Sequence, residues 1–485
     1  MRSTGFGWNM TEPIIERGNV REGRVSIETW IAEQPEELID LIVGQRWFGD
    51  KSRTRSSMRP SLILEFAHEG NQYAVLEVEL EFTDGGSSTY LVPILHRSDD
   101  QAVDALRDPS FLTWLAEGFV EERSIGTPHA GGSHLVWSSI DGESSWTSQS
   151  PRMLEGEQSN TSVIFGREAI LKLFRKLQPG VNPDSEIISF LTDHHAFLHV
   201  PRFLGSIALV FDREREPVEL AAVQGFVPNQ GDSWRWLPDA LRTGSSDDLV
   251  DLLASIRLLG QRTGELHVAL ADSGGDAAFQ PEVIDSSDVH EVEERLGREV
   301  RGTASMLHRQ GACSHAESES LASSLLASVS RADALVGTLQ TRVHGDYHLG
   351  QVLRTGDDFV IIDFEGEPSR PMRERRQKSS PLKDVAGMLR SIDYAVATAS
   401  LSEVGAAAGL GQWRSDAERA FLDGYLPVVR RDAPALIPDS EDAFGQALDL
   451  FMIEKALYEV RYELDNRPDW LDIPFGALRR IAASN

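Results

Sequence analysis

Two polar motifs constrain the fold of this chain more than any other feature: HGDYHLGQ at residues 344–351 and IIDFEGE at residues 361–367. The segment between them reads as a β-hairpin, because two β-rich runs flank residues 355–358 (TGDD), a turn made of residue types that tolerate turn conformations. A hairpin folds its two ends together. The polar side chains that precede the hairpin are therefore predicted to lie beside those that follow it.

The side chains that this hairpin brings together suit phosphoryl transfer. In that chemistry one carboxylate orients an attacking hydroxyl and accepts its proton, while a second carboxylate and an amide oxygen hold Mg²⁺ against nucleotide phosphates. We assign the base role to Asp346 and the metal role to Gln351 and Asp363. Glu365 points the same way if the strand continues, which makes it a further metal ligand or a group that supports the ligands. The alternative is that each aspartate is a solvated turn residue or a helix cap. That alternative does not explain why Asp346, Gln351, Asp363 and Glu365 occur together in this arrangement.

The residues around position 170 are typical of a site that holds ATP. Two strands, 162–165 and 169–174, are predicted; in kinases such a hairpin covers the phosphates with the backbone amides of its tip, and the next strand carries a lysine. Lys172 is that lysine, and Glu186 on the following helix is its predicted partner, because a lysine among apolar neighbours needs a carboxylate. The alternative is a surface lysine with a solvated Glu186. The predicted tip has small polar side chains in place of a glycine run: Ser159, Asn160, Thr161 and Ser162.

A kinase hinge is predicted where the next sheet strand runs into the segment PNQGDSW. The backbone at a hinge reads adenine, so we assign Gln224, Phe226 and Val227 to the nucleotide site. The tryptophans that follow, Trp234 and Trp236, are expected to pack in the core.

Two helices near the C-terminus carry candidates for sugar binding, because carboxylates accept hydrogen bonds from hydroxyls and aromatic rings stack on sugar rings. Arg390 and Asp393 lie three apart on one helical face and are predicted to contact a sugar or each other. The last helix offers Tyr458, Glu459 and Glu463. The alternative for this helix is an amphipathic element with a solvated acidic side.

The helix that begins after Ser380 and Pro381 is predicted to support the catalytic loop. Serine is a common helix cap and proline a common first residue. Asp384, in the first turn, is predicted to bind the backbone of the catalytic loop. His267 is expected to be a core or capping histidine, and the basic residues between 370 and 378 form a solvated face or help neutralise the transferred phosphate.

Charge and composition exclude several functions. The chain has 485 residues and a formal charge of −29, which argues against partners such as nucleic acid and anionic membrane surfaces and favours a neutral or cationic acceptor. A single cysteine, Cys313, excludes an intrachain disulfide framework. No apolar run reaches the ~18 residues of a membrane span, and the first residues lack the apolar core of a signal peptide. A cytoplasmic location is expected, where ATP is available.

Several of these motifs carry a family resemblance. HGDYHLGQVL, IIDFEGEP, SPLKDVAGMLRS, QSNTSV, LKLFR and NRPDW resemble the bacterial maltokinases, in the maltokinase and glucosamine kinase group of the aminoglycoside-phosphotransferase-like kinase superfamily. Most members of that superfamily resemble the pattern H-G-D-x-x-x-x-N, which has Asn where this chain has Gln351. Maltokinases resemble this chain in having Gln at that position.

The resemblance implies an α+β, bilobal, protein-kinase-like fold with an N-terminal α+β cap. Residues 1–95 are then the cap, with a helix over 27–43 and a three-stranded meander. Residues 96–227 are an intermediate segment, in which the residues themselves favour a helix over 102–118, and the N-lobe with the nucleotide-binding strands. Residues 228–485 are the helical C-lobe with the catalytic and acceptor sites, and the composition of residues 273–288 indicates a loop.

The resemblance also implies an activity: Mg²⁺-dependent phosphorylation of maltose by ATP to maltose 1-phosphate. The residues themselves indicate only phosphorylation of a hydroxyl, so a glucosamine kinase that forms glucosamine 6-phosphate and an antibiotic-modifying phosphotransferase are alternatives. A non-enzymatic alternative is an inactive relative that binds sugar or associates with a trehalose-metabolism enzyme. The expected state is a monomer or a homodimer.

Overall fold

The protein is described here from a computed structural model, which covers residues 27–97, 101–128, 132–140, 144–154, 160–212, 215–368, 370–400 and 410–483. The chain forms two compact units. The first contains the residues up to 189 with 201–228 and 371–373, and the second contains 190–200, 229–370 and 374–485. In the described part of the chain, no helix has the length and the apolar character needed to cross a membrane.

The first unit contains two antiparallel sheets. One has the order β1-β2-β3-β10, with β4 also paired to β3, and the other has the order β5-β6-β11-β12-β9-β8-β7. The strands are β1 (Arg55–His68), β2 (Asn71–Phe82), β3 (Ser87–His96), β4 (Ala102–Asp104), β5 (Ser124–Gly126), β6 (Ser133–Ser139), β7 (Pro151–Met153), β8 (Asn160–Phe165), β9 (Ala169–Phe174), β10 (Lys176–Leu177), β11 (Phe203–Phe211) and β12 (Val218–Gly225). Its helices are α1 (Ile27–Glu33), α2 (Pro35–Val43), α3 (Pro109–Val120) and the first residues of α4 (Pro183–His195).

The N-terminal part confirms the predicted meander and corrects two predicted helices. The three strands β1, β2 and β3 pair in sequence order. The helix predicted over 27–43 is two helices, because Pro35 lacks a backbone N–H and begins a new helix at its first position. A second predicted helix near residue 102 begins later, at Pro109, where the Asp108 carboxylate caps the backbone N–H of Ser110 at 2.9 Å.

The second unit is mainly helical. Its helices are α5 (Ser233–Thr243), α6 (Ser246–Ala271), α7 (Ser286–Arg309), α8 (His315–Val329), α9 (Met372–Arg375, shared with the first unit), α10 (Leu382–Ser400), α11 (Leu410–Asp432), α12 (Glu441–Asn466) and α13 (Asp472–Ala483). Two short antiparallel pairs join β13 (Glu282–Val283) to β14 (Leu339–Gln340) and β15 (Val352–Thr355) to β16 (Asp358–Ile361). The loop predicted over 273–288 therefore contains a strand and the start of α7.

Helices α6 and α11 approach each other closely at two glycines. A Cβ atom on Gly260 would lie 2.0 Å from the carbonyl oxygen of Phe421, and one on Gly424 would lie 1.9 Å from that of Arg257. Real Cβ contacts do not reach such distances, so only glycine permits this packing. The pair holds α6 in place, and α6 in turn carries His267 toward the motif at 344–351.

Candidate active site

The predicted hairpin forms and brings together two of the proposed metal ligands. Val352 of β15 pairs with Ile361 of β16, and the backbone N–H of Ile362 donates to the carbonyl oxygen of Gln351 at 2.9 Å. As a result, the side-chain amide of Gln351 donates to a carboxylate oxygen of Asp363 at 2.9 Å. An amide and a carboxylate at this distance offer the oxygen ligands that Mg²⁺ takes in proteins, so the pair fits the ion.

The chain does not continue as a strand after the hairpin, contrary to the assumption made for Glu365. Strand β16 ends at Ile361, and Asp363 adopts φ = 68°, a left-handed conformation that is uncommon outside glycine. Glu365 nevertheless stays near, because one of its carboxylate oxygens lies within 4.8 Å of one from Asp363. The guanidinium of Arg375 lies 3.8 Å from the carboxylate of Glu365. Backbone turning, rather than strand alternation, places Glu365 near the predicted metal ligands.

Asp346, the predicted base, lies among cationic side chains. The ammonium of Lys455 is 3.2 Å from its carboxylate, and the ring Nε2 of His348 is 3.9 Å away. Burial alone would raise the pKa of Asp346, but Lys455 and the two nearby histidines lower it below its usual value. His348 is close enough to both Asp346 and Asp363 for each carboxylate to act on its pKa, although burial lowers that pKa overall. The predicted base and the predicted metal ligand Asp363 thus lie near the same histidine.

Asp384 holds the backbone of the loop predicted to be catalytic, and this contact confirms the one expected from the sequence. Its buried carboxylate accepts hydrogen bonds from the backbone N–H groups of His344 at 2.7 Å and Gly345 at 2.9 Å. The ring Nε2 of His267 lies 3.3 Å away, which confirms the expected core position of that histidine. Helix α10 can approach this loop because Gly387 has no side chain; a Cβ there would lie 2.6 Å from the carbonyl oxygen of Tyr347.

A cavity of about 130 Å³ opens beside Asp346 in the second unit. Its wall includes Tyr458, one of the predicted sugar-binding residues. It also includes cations that the sequence reasoning missed, among them Lys455 and Arg295, which forms an ion pair with Glu454 at 2.9 Å. A polar pocket with an aromatic ring next to the predicted base is suited to a hydroxylated acceptor.

The other predicted sugar-binding residues form a buried network instead. The guanidinium of Arg390 bonds the carboxylates of Asp393 and Glu459, the latter at 2.7 and 2.9 Å. Glu463 accepts a hydrogen bond from the hydroxyl of Tyr394 at 3.1 Å. All four predicted residues are less than a tenth exposed. The structure therefore shows the mutual contact of Arg390 and Asp393 that was the alternative to a sugar contact, within an ion-pair network that ties α10 to α12.

In the first unit, the strands predicted to carry the nucleotide form as β8 and β9. The predicted phosphate-binding tip is shifted, however. Asn160, Thr161 and Ser162 are buried within β8 and pair with β9, so they are strand residues rather than tip residues, and Thr161 accepts a hydrogen bond from Arg175 at 2.8 Å. Ser159 lies outside the described residues.

Lys172 meets a carboxylate from the predicted helix, although the sequence reasoning did not name this residue. Its ammonium lies 3.6 Å from Asp184 in the first turn of α4, two positions before the predicted partner Glu186. The side-chain amide of Gln224 donates to the same Asp184 carboxylate at 2.8 Å. The signal for Asp184 was its place beside the helix cap: the Asn182 side chain accepts from the backbone N–H of Asp184 at 2.9 Å.

The start of α4 is anchored by a buried acid that the sequence reasoning also missed. Glu219 of β12 accepts hydrogen bonds from the backbone N–H of Asn182 at 2.8 Å and the hydroxyl of Ser185 at 2.6 Å. Burial raises the pKa of Glu219 to about 8. The predicted hinge follows β12, where the backbone N–H of Phe226 donates to the carbonyl oxygen of Glu168 at 2.9 Å and Val227 comes next.

Replacing Lys455 by Met should shift the pH dependence of the reaction. Because Lys455 is the largest influence lowering the pKa of Asp346, its loss should raise that pKa and move the acidic limb of the kcat profile to higher pH. The measurement is kcat against pH for the wild type and for Lys455→Met. The control is Lys51→Met, which removes an exposed lysine; an acidic limb that stays in place in Lys455→Met would show that this lysine does not set the ionisation of the base.

Comparison with known proteins places the site in a family. Residues 151–421 match the profile of the phosphotransferase enzyme family. A glucosamine kinase of Streptacidiphilus jiangxiensis is 30% identical over 328 residues, which are 66% of this chain and 70% of that protein. A glucosamine kinase of Mycolicibacterium smegmatis is 26% identical over 427 residues, 83% of this chain and 97% of that protein.

Solved structures agree with the predicted fold. A glucosamine kinase in complex with glucosamine, ADP and inorganic phosphate superposes with a TM-score of 0.66 at 23% identity, over 91% of this chain and 98% of that one. A second crystal form of a glucosamine kinase gives a TM-score of 0.69 at 22% identity, over 92% and 99%. The predicted α+β kinase-like fold is confirmed.

Proposed function

Because the chain belongs to the phosphotransferase enzyme family, we propose that it is an ATP-dependent sugar kinase that uses Mg²⁺. One observation carries the proposal. The motif at 344–351 and Asp363, two residues after the end of β16, come together across one hairpin, with a polar cavity beside Asp346. General base, metal ligands and acceptor space are the three parts that phosphoryl transfer to a hydroxyl needs.

The proposed roles follow from these contacts. Asp346 accepts the proton of the attacking hydroxyl. Lys172, aligned by Asp184, binds the nucleotide phosphates, and the backbone near Val227 binds adenine. Gln351, Asp363 and Glu365 would hold Mg²⁺, which would supply positive charge to the nucleotide phosphates.

The acceptor is proposed to be a small sugar, either maltose or glucosamine. The motifs at 344–351 and 380–391 favour maltose, whereas the glucosamine kinases that resemble this chain favour the amino sugar. The cavity beside Asp346 has both signs of charge on its wall, which suits a polyhydroxylated molecule of either kind.

A screen of acceptors tests the function directly. ADP release with ATP and Mg²⁺ is measured with maltose, glucosamine, glucose and kanamycin, and ³¹P NMR identifies the phosphorylated hydroxyl of the product. We expect maltose or glucosamine to give at least about ten times the kcat/KM of glucose and kanamycin, which corresponds to about 1.4 kcal/mol of discrimination. Preference for kanamycin, or no acceptor-dependent ADP release, would overturn the proposal.

Removing the carboxylate of Asp363 should weaken the binding of the metal–nucleotide complex. The variant Asp363→Ala loses one of the hard oxygen ligands that Mg²⁺ prefers, so more Mg²⁺ is needed for half-maximal activity. The measurement is activity against Mg²⁺ concentration at fixed ATP. Asp357→Ala, in the exposed turn of the same hairpin, is the matched control. An unchanged Mg²⁺ titration in Asp363→Ala would contradict the role.

The cytoplasmic location, the association with a trehalose-metabolism enzyme and the monomeric or homodimeric state stay predictions from the sequence. The lack of a nucleic-acid partner is likewise a prediction, drawn from the formal charge of −29.

A further inference from the structure

A second and larger cavity continues the pocket beside Asp346. It measures about 700 Å³ and is formed by α7, the end of β14 and the segment before α10, all in the second unit. The two cavities have seven lining residues in common. A molecule whose reacting hydroxyl lies at Asp346 therefore has room to extend past a junction into this second cavity, which we call the outer groove.

The charged side chains at the junction are almost all paired. Arg295 bonds Glu454 at 2.9 Å, and Arg370 bonds Glu367 at 2.9 Å. The exception is Lys383, which lines both cavities. Among the described residues, no carboxylate lies within ion-pair distance of its ammonium and no acceptor lies within hydrogen-bond distance of it.

A partly buried ammonium without a hydrogen-bond partner lowers the stability of the folded protein. Burial lowers the pKa of Lys383 even though Glu454, Asp384 and Glu367 act in the opposite direction. Its backbone is fixed, because the next residue, Asp384, binds the catalytic loop through two backbone N–H groups. The side chain therefore starts from a fixed point of the cavity wall, and the N–H groups of its ammonium are available to a bound molecule.

We propose that Lys383 is a specificity-determining residue that donates a hydrogen bond to an uncharged oxygen of the acceptor, where the acceptor passes from the inner pocket into the outer groove. This inference rests on the proposed sugar kinase activity. The acceptor would then have a hydroxyl, ring or glycosidic oxygen at the junction, within hydrogen-bond distance of Lys383. An amino group of an amino sugar is excluded from that position, because two cations repel each other in a partly buried site.

The test is the variant Lys383→Met, which keeps most of the length of the side chain and removes the charge and the donors. We expect the KM for the preferred acceptor to rise at least about tenfold, the effect of losing one hydrogen bond to a charged group, with the KM for ATP unchanged within about twofold. The KM of glucosamine relative to glucose should fall, because the repulsion of a cationic acceptor is relieved. A lysine that only stabilises the fold would not change this ratio.

Two further variants complete the experiment. Lys383→Arg keeps a cationic donor and should retain more of the acceptor affinity than Lys383→Met; if Lys383→Met does not fold, Lys383→Gln replaces it with the same expectations. Lys51→Met removes an exposed lysine and should leave all constants within twofold, so it controls for net charge. An unchanged acceptor KM and an unchanged glucosamine-to-glucose ratio would overturn the role of Lys383. A wild type that phosphorylates no sugar would instead overturn the proposed function.

Discussion

The variant Asp346→Asn should lose at least about 100-fold in kcat, the typical contribution of a general base, while it retains ATP binding. Asparagine has the shape of aspartate but cannot accept the proton of the attacking hydroxyl. In the protein, Lys455 at 3.2 Å and the two nearby histidines keep the pKa of Asp346 low, so the group is ionised and ready to act as a base at neutral pH. The measurement is single-turnover phosphorylation together with ATP affinity by calorimetry.

The control for this experiment lies in the same segment of the chain. Asp357 is exposed in the turn of the hairpin, so Asp357→Asn makes the same chemical change without touching the cavity and should leave kcat unchanged. Turnover near that of the wild type in Asp346→Asn would refute the base assignment. Loss of ATP binding in the same variant would point to a nucleotide-binding or metal-binding role for this carboxylate instead.

Local sequence chemistry was sufficient to predict the parts of the site that a hairpin assembles. Turn residues at 355–358 fix the register of β15 and β16, and that register places Gln351 within hydrogen-bond distance of Asp363. The same local rules predicted the start of α10 and the contact of Asp384 with the catalytic loop. These contacts either lie within a short segment or follow from a helix cap.

Contacts between distant segments could not be predicted in this way. Lys455 lies 109 positions after Asp346 in the sequence and contacts it in the structure. In the sequence, Lys455 is one charged residue of an amphipathic helix, and nothing in that pattern indicates its partner. Arg390 and Glu459 lie 69 positions apart on two helices, and the spacing of polar residues within each helix was compatible with sugar binding. In the structure, α10 packs against α12 and the two side chains are buried against each other. Periodicity identifies the face of a helix, whereas the partner of that face depends on tertiary packing.

The contact of Lys172 with Asp184 shows a similar limit within one helix turn. Asp184 and Glu186 both lie in the first turn of α4, and sequence spacing admits either as a partner of Lys172. The structure places Asp184 at 3.6 Å, because Asn182 caps the helix and Glu219 anchors its first N–H group. A buried acid on a separate strand thus sets the rotation of the helix, which no local pattern reveals.

Replacing Asp384 by Ala should have the largest effect on stability. The change leaves the backbone N–H groups of His344 and Gly345 buried without an acceptor and removes the partner of the Nε2 atom of His267, a loss of about 3–5 kcal/mol in the free energy of unfolding. Activity should fall as well, because these two N–H groups fix the loop that carries Asp346. The measurement is urea denaturation of the wild type and Asp384→Ala, and the control is Asp465→Ala, an exposed aspartate of α12.

The pH dependence of stability separates this role from a simple loss of packing. Burial raises the pKa of Asp384, but His267 and the backbone N–H group of Gly345 together lower it by more. The pKa in the folded protein therefore lies below the pKa in the unfolded chain. The contribution of Asp384 to stability is therefore present above the unfolded pKa and is lost as the pH falls through the folded pKa. The difference in unfolding free energy between the wild type and Asp384→Ala should be largest at neutral pH and should become smaller as the pH falls. A gap that does not change with pH would mean that the carboxylate charge does not hold the catalytic loop.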